Sequence, residues 1–574
     1  MPEYLAPGVY VEEVSFRSKS IEGVSTSTTA FVGATRKGPT SGTPELITSV
    51  GDFERIYGGM DDISFSGTPI TNYLAHAVKN YFDNGGARLF VARVFVPIDE
   101  VSNTGVADTG LIGDGADAEN QFRFVARSPG AEGNGTITLS VSETDVSSTA
   151  VTEPALDRAR NGSLLDDGGT VYIKIDGSWT DSGDSAHAGT TGGSASLMTL
   201  NVLITDGSGN ESFYEDLGFN SDHPNYVGNT LSTTPVRRID QLQNSHAITL
   251  GSTVDGFRLY SVVSDEIGSS SSVSYSLTGG NDGAMPTGPS YVAPLLMHAS
   301  NDDISIVAAP GYSAYSDRAG IQNELLTHVE KRKAYRIAVL DVPIDQTVTE
   351  AVAVKSSIDS SYAAIYHPWV VVSNPLAKPN DTRIPNEVAL PPSGFVCGIY
   401  ARNDNSKGVA KSPGNEIVRG AIRFQTEISF AEQEILNPKG VNCLRFFPGR
   451  GNRLWGARTT SSDPEWKYVG PRRYFLYLER SIDRSTQWAV FENNGPKLWA
   501  NVRETVSSFL YNEWRSNSLL GSTPEEAYFV RCDRTTMTQN DLDNGRMICL
   551  IGVSVLKPAE FVVFRIGQKT MDAR

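Results

Sequence analysis

The chain has 574 residues, of which 39% are apolar and 20% charged, and carries a formal net charge of -17. That length supports about three or four ordinary domains, each able to bury a core without disulfides or a metal, and the acidity argues against a general binder of nucleic acid or anionic membranes. The 54 glycines and long Ser/Thr-rich stretches predict many turns and strands, hence a mixed α/β or β-rich fold.

The N-terminus, MPEYLAPGVYVEEV, has neither a basic region nor an apolar one, and the chain holds no apolar run long enough to span a bilayer. Neither a cleaved signal nor a membrane span is expected, and assembly in the cytoplasm follows. Residues 8–14, GVYVEEV, predict a strand with nothing nearby to pair with. Such a strand has to join a sheet elsewhere, in its own chain or in a neighbour's. Residues 1–22 are therefore read as an arm.

From Thr29 an α/β rhythm begins. TAFVGAT is a buried-strand run, and Ile70, Tyr73, Leu74, Ala77, Val78, Tyr81 and Phe82 recur at helical spacing before Asn84-Gly85-Gly86 stops the helix. ARLFVARVFV supplies the next strand. Residues 99–290 differ: they contain one Lys, no Cys, and short alternating runs such as QFRFVAR, GTITLSV, TVYIKI and GFRLYSVV, all read as strands of an all-β insertion. Within 101–290 lie 24 Asp/Glu and 8 Lys/Arg, so almost all the acidity sits there, as suits a solvent-facing domain. After GGNDG the α/β rhythm returns, with strands in DISIVAAPG, RIAVLDVP and AAIYHPWVVVSNP and helices near 316–335 and 346–359. Residues 23–98 and 291–440 then form one domain interrupted by 99–290.

Beyond residue 440 the balance turns basic, with 19 Lys/Arg and 14 Asp/Glu in 445–574. RRYFLYLERSI fits strand or helix, PKLWANVRETVSSFLYNEWR is a helix begun by Pro496, and AYFVRC, MICLIGVSVL and EFVVFRI are strands. This gives a C-terminal domain over 441–555 and a terminal strand and tail over 556–574.

Motifs for chemistry are missing. The seven histidines stand apart from any ligand spacing, and there is no phosphate loop and no G-x-S-x-G elbow. Asp-Gly turns explain DGSGNE and DGADAE without calcium. No cofactor, metal site or catalytic residue is expected. Cys397, Cys443, Cys532 and Cys549 form no C-x-x-C pair and read as core thiols in a reducing compartment. The stretch 445–473 is rich in Lys/Arg with two tryptophans. It could bind a polyanion or serve as a solvated or subunit-contact surface, and the overall acidity favours the second.

The runs APGVYVEEV, GVSTSTTAFVG and LTGGNDG, the APG turn at 309–311, and above all the C-terminal stretch from WKYVGPRRYFLYLERSI to EFVVFRI closely resemble contractile tail sheath proteins of phages and phage-tail-like extracellular injection systems. The resemblance covers 1–98 and about 279–569. It implies an α/β multidomain protein: a mixed-sheet sheath core, a β-rich outward insertion, and terminal arms that exchange strands with neighbours. It implies a homo-oligomer of stacked six-fold rings that contracts to drive an inner tube through a target envelope, with that tube, a baseplate and a cap as partners, and a place in a phage tail or an extracellular particle.

Carried onto this sequence, the exchanged strands are Gly8 to Val14 (Val9, Tyr10, Val11) and Glu560 to Ile566 (Phe561, Val562, Val563, Phe564, Ile566). The acceptor is the strand around Met547 to Val555 (Ile548, Leu550, Val553). Alternation in KPAEFVVFRI gives both faces large apolar side chains, which would be stranded if left uncovered. Arg450, Arg453, Arg458, Arg472 and Arg473 form a candidate tube-facing basic patch. A sheath-like cap or baseplate component, or an envelope- or glycan-binding protein acting through 99–290, are the alternative readings.

Overall fold

A computed structural model of the chain describes residues 21–99, 104–113, 117–146, 156–187 and 195–564. Its centre is a nine-stranded mixed sheet, in the order Leu46–Ile47, Leu89–Arg93, Thr29–Gly33, Ile306–Ala308, Ile337–Asp341, Ala363–His367, Val441–Phe447, Gly451–Trp455, Glu416–Ile417. The six strands from Leu89–Arg93 to Val441–Phe447 run parallel, and antiparallel strands close both edges.

The central strands are buried on both faces, which is why they read as continuous apolar runs. Because successive side chains point to opposite faces, each strand serves two cores. Phe31, Val91, Val339 and Tyr366 meet helices Val50–Tyr57, Tyr73–Asp83 and Ser393–Lys407 on one side. Ala30, Ala92, Leu340 and Ile365 meet Gly288–Ala299, Arg318–Glu330 and Val348–Ser356 on the other. The helices begin where the sequence provides caps: the Asn72 side chain accepts from Ala75 N, and Thr347 and Glu350 form a capping box.

Strands Val441–Phe447 and Gly451–Trp455 belong to this sheet, so the α/β layer continues past the expected boundary at 440. The composition had turned basic there, but composition does not mark where strand pairing ends.

A second body follows Arg93. It holds a seven-stranded sheet built on the long strands Gly135–Asp145 and Ala195–Asp206, with the pair Phe122–Ala126 and His246–Leu250 beside it, and has its own core. It is not all-β. GFRLYSVV, read above as a strand, opens the helix Gly256–Ile267, capped by Asp255, with Leu259, Tyr260, Val262 and Val263 buried. Spacing of i, i+1, i+3, i+4 over a one-sided core outweighs the β propensity of its aromatic and branched residues.

The chain enters and leaves this body at one place. Asp108 and Thr278 exchange backbone hydrogen bonds of 2.9 and 3.1 Å, and Asp282 accepts from Ala131 N and Ser64 N, each at 2.9 Å, joining the two bodies. Gly283, in the GGNDG turn, has φ +80°, and a Cβ there would stand 2.2 Å from Val96 O, so only glycine fits.

The third body packs on the first. RRYFLYLERSI, left open between strand and helix, lies in the helix Val469–Ser485. With Pro496–Arg515 and the hairpin Tyr528–Arg531/Leu550–Val553 it forms a separate core. Cys397, Cys443 and Cys532 are buried, Cys549 is half-buried, and all four are free thiols. No helix among the described residues is long and apolar enough to cross a membrane.

Candidate functional site

The predicted exchange residues Val9, Tyr10, Val11 and Ile566 lie outside the described residues. Phe561, Val562, Val563 and Phe564 are described, and no helix or strand contains them. They are 73%, 68%, 77% and 83% exposed, four consecutive large apolar side chains facing solvent. Single exposed apolar residues are ordinary, but a contiguous run is a surface that requires a partner.

Of the proposed acceptor residues, Leu550 and Val553 sit in the hairpin strand Leu550–Val553, with Arg531↔Leu550 and Tyr528↔Val553 as register pairs. Ile548 lies just before it, against the C-terminal core. Among the described residues the hairpin is a two-stranded sheet with no third strand, a single Leu519–Val555 bridge lying just past Leu550–Val553, and Phe529 and Leu550 are both 50% exposed.

The basic patch comes apart in three dimensions. Arg450 and Arg453 stay near the surface on the Val441–Trp455 hairpin, with Arg450 over the rings of Phe447 and Trp455 at 5.6 and 5.3 Å. Arg458, Arg472 and Arg473 are buried. Arg472 is held between Tyr362 and Trp466, 4.0 and 4.6 Å from their ring centres. These three arginines therefore present no charge to an external partner from the unassembled chain. Two of them instead hold segments near the two chain ends.

Arg458 grips the C-terminal segment at Glu560. The carboxylate accepts from Arg458 Nε (2.8 Å) and Nη2 (2.6 Å), Asn437 Nδ2 (2.8 Å) and Tyr468 OH (3.0 Å). Burial raises the carboxyl's pKa, yet these donors outweigh it and hold the group below its ordinary value.

Arg473 grips the N-terminal segment. Its guanidinium is bidentate on Asp404, Nη1–Oδ1 2.8 Å and Nη2–Oδ2 2.6 Å, with Nη2 also donating to Thr26 O at 3.0 Å, while Thr26 Oγ1 donates to Asp404 Oδ2 at 2.7 Å. Val24 N donates to Ser481 Oγ at 3.2 Å, and Tyr477 stands so close that a Cβ on Gly23 would meet its hydroxyl at 2.3 Å. Glu513 fixes that ring and its neighbour by accepting from the Tyr474 and Tyr477 hydroxyls, each at 2.9 Å.

Sequence reasoning counted these arginines as charge and missed their partners, which lie 69 and 102 residues away along the chain. The one available signal is Glu560 itself, a lone acid opening an apolar strand. Among the described residues no group of His, Cys, Asp and Glu is placed to hold a metal.

The chain is similar to known tail sheath proteins. The family model of the phage tail sheath protein central domain matches residues 285–460, and that of the phage tail sheath C-terminal domain matches 461–569. A putative prophage major tail sheath protein of Pseudomonas aeruginosa is 26% identical over 267 residues, 46% of this chain and 64% of that protein. The tail sheath protein of Enterobacteria phage T4 is 24% identical over 177 residues, 30% of this chain and 26% of that protein. The chain thus spans less than two thirds of the length of either relative. The helical sheath of the anti-feeding prophage in its contracted state shares the fold, with a TM-score of 0.53 and 19% identity over 99% of this chain and 100% of that one. These matches take in Asp404, Arg458, Arg473 and Glu560, and the chain carries regions similar to the central and C-terminal domains of phage tail sheath proteins.

Proposed function

We propose that this chain is a structural sheath subunit that polymerises into a helical cylinder around an inner tube by lending its two ends to adjacent copies. The observation that carries the reading is the exposed run Phe561–Phe564, which leaves an anchored base and is not covered by any of the described residues. Added to an open edge such as that of Leu550–Val553 in another copy, it would gain main-chain hydrogen bonds and bury its side chains in one step. Donor and acceptor surfaces differ, so the contact is heterologous and propagates as a helix.

Contraction follows as rigid-body movement of subunits that remain joined through their arms, from a metastable packing to a more stable one without nucleotide. A baseplate and a cap would bound the cylinder, and the acidic insertion 99–290 would face outward. Electron microscopy of the purified protein tests the reading. Hollow cylinders are expected from the full chain, and deletion of 561–574 should abolish them while leaving the rest folded. Cylinders formed without that segment would refute it.

A further inference from the structure

We propose that Glu560 is a positioning residue: it fixes where the C-terminal strand leaves the body and ties that strand to the central sheet. This rests on reading the segment after Glu560 as the assembly strand. One carboxylate here takes hydrogen bonds from three separate stretches of the chain, at Asn437, Arg458 and Tyr468, while its neighbours Ala559 and Phe561 are exposed. A passive tether would need none of these bonds.

Arg458 is itself locked. Its Nη1 donates to Asn437 O at 2.8 Å, and its backbone N donates to Asn442 Oδ1 at 2.7 Å. Asn442 Nδ2 donates in turn to Arg458 O at 2.7 Å and Ile365 O at 3.2 Å. Hydrogen bonds therefore run unbroken from the arm to Ala363–His367 in the parallel sheet, and a pull on the strand reaches that sheet without straightening the exposed linker at 556–559.

A fixed point of departure also confines the strand near its target. That raises its effective concentration there and lowers the ordering cost of docking.

The test separates the two sides of the anchor. A Gly-Gly insertion between Lys557 and Pro558 lengthens the chain on the body side, where Glu560 still sets the strand. The same insertion between Glu560 and Phe561 displaces the strand by up to about 7 Å. Cylinder formation, followed by light scattering, should keep its wild-type lag in the first variant and lengthen about tenfold in the second, with Glu560→Gln moving in the same direction. Equal effects of the two insertions, or wild-type assembly by Glu560→Gln, would overturn the proposal. Should deletion of 561–574 leave assembly intact, the strand-lending reading itself is what fails.

Discussion

The central sheet and the chain ends handle apolar surface in opposite ways. In the central strands Thr29–Gly33, Ile337–Asp341 and Ala363–His367 every residue is buried, with Phe31, Ile337 and Ile365 fully so. At the C-terminal end Phe561–Phe564 face water, and among the described residues the hairpin Tyr528–Arg531/Leu550–Val553 has no third strand. The first region is complete within one copy. The second, on the function proposed above, becomes complete only in a polymer, and the two are kept distinct by polar anchors at Glu560 and Asp404.

The largest effect should come from the completed region. Phe31→Ala leaves a cavity between sheet and helices and should cost about 3–5 kcal/mol, read by denaturant unfolding of the unassembled chain. Arg473→Ala comes next: it strands the buried Asp404 carboxylate without its partner, at about 3–5 kcal/mol, and should loosen residues 21–28 in hydrogen exchange. Unchanged exchange there would mean the segment is held by packing alone.

Acid should act on both regions over different ranges. His298 and His328, pushed down to about 3 by burial and by Arg336, remain neutral in the folded chain while unfolded imidazoles charge below their ordinary 6.5. Stability is therefore full above pH 6.5 and falls as pH drops from there toward 3, visible as a declining melting temperature. Glu560 is held below its ordinary 4.5, so its anchor is intact above that pH and is lost as pH falls through the lower folded value. Acid should thus lower the melting temperature before it releases the arm.

The smallest effect on the single chain is the most telling. Val562→Ser with Phe564→Ser should change its stability by no more than about 0.5 kcal/mol, as for other exposed positions, yet prevent cylinder formation. A large loss of stability would show that the run packs within its own copy.

Much of the completed region was legible because its signals are local. TAFVG reads as a doubly buried strand, and the helical recurrence from Tyr73 to Phe82 appears as Tyr73–Asp83. GFRLYSVV misled because its branched and aromatic residues suit a strand, whereas the Asp255 cap before it was the better guide. The arm anchors were illegible for another reason. Nothing near Arg458 or Arg473 indicates that a carboxylate distant in sequence will neutralise it, so charge counting placed buried side chains on a surface.

The paired entry and exit of the acidic body has an engineering consequence. Because both crossings meet at Asp108 and Thr278, a foreign domain whose own termini lie close together can be spliced there without rerouting any strand of the central sheet. Each copy would then carry one such passenger, and in the cylinder proposed above the passengers would be arrayed at the spacing of its subunits.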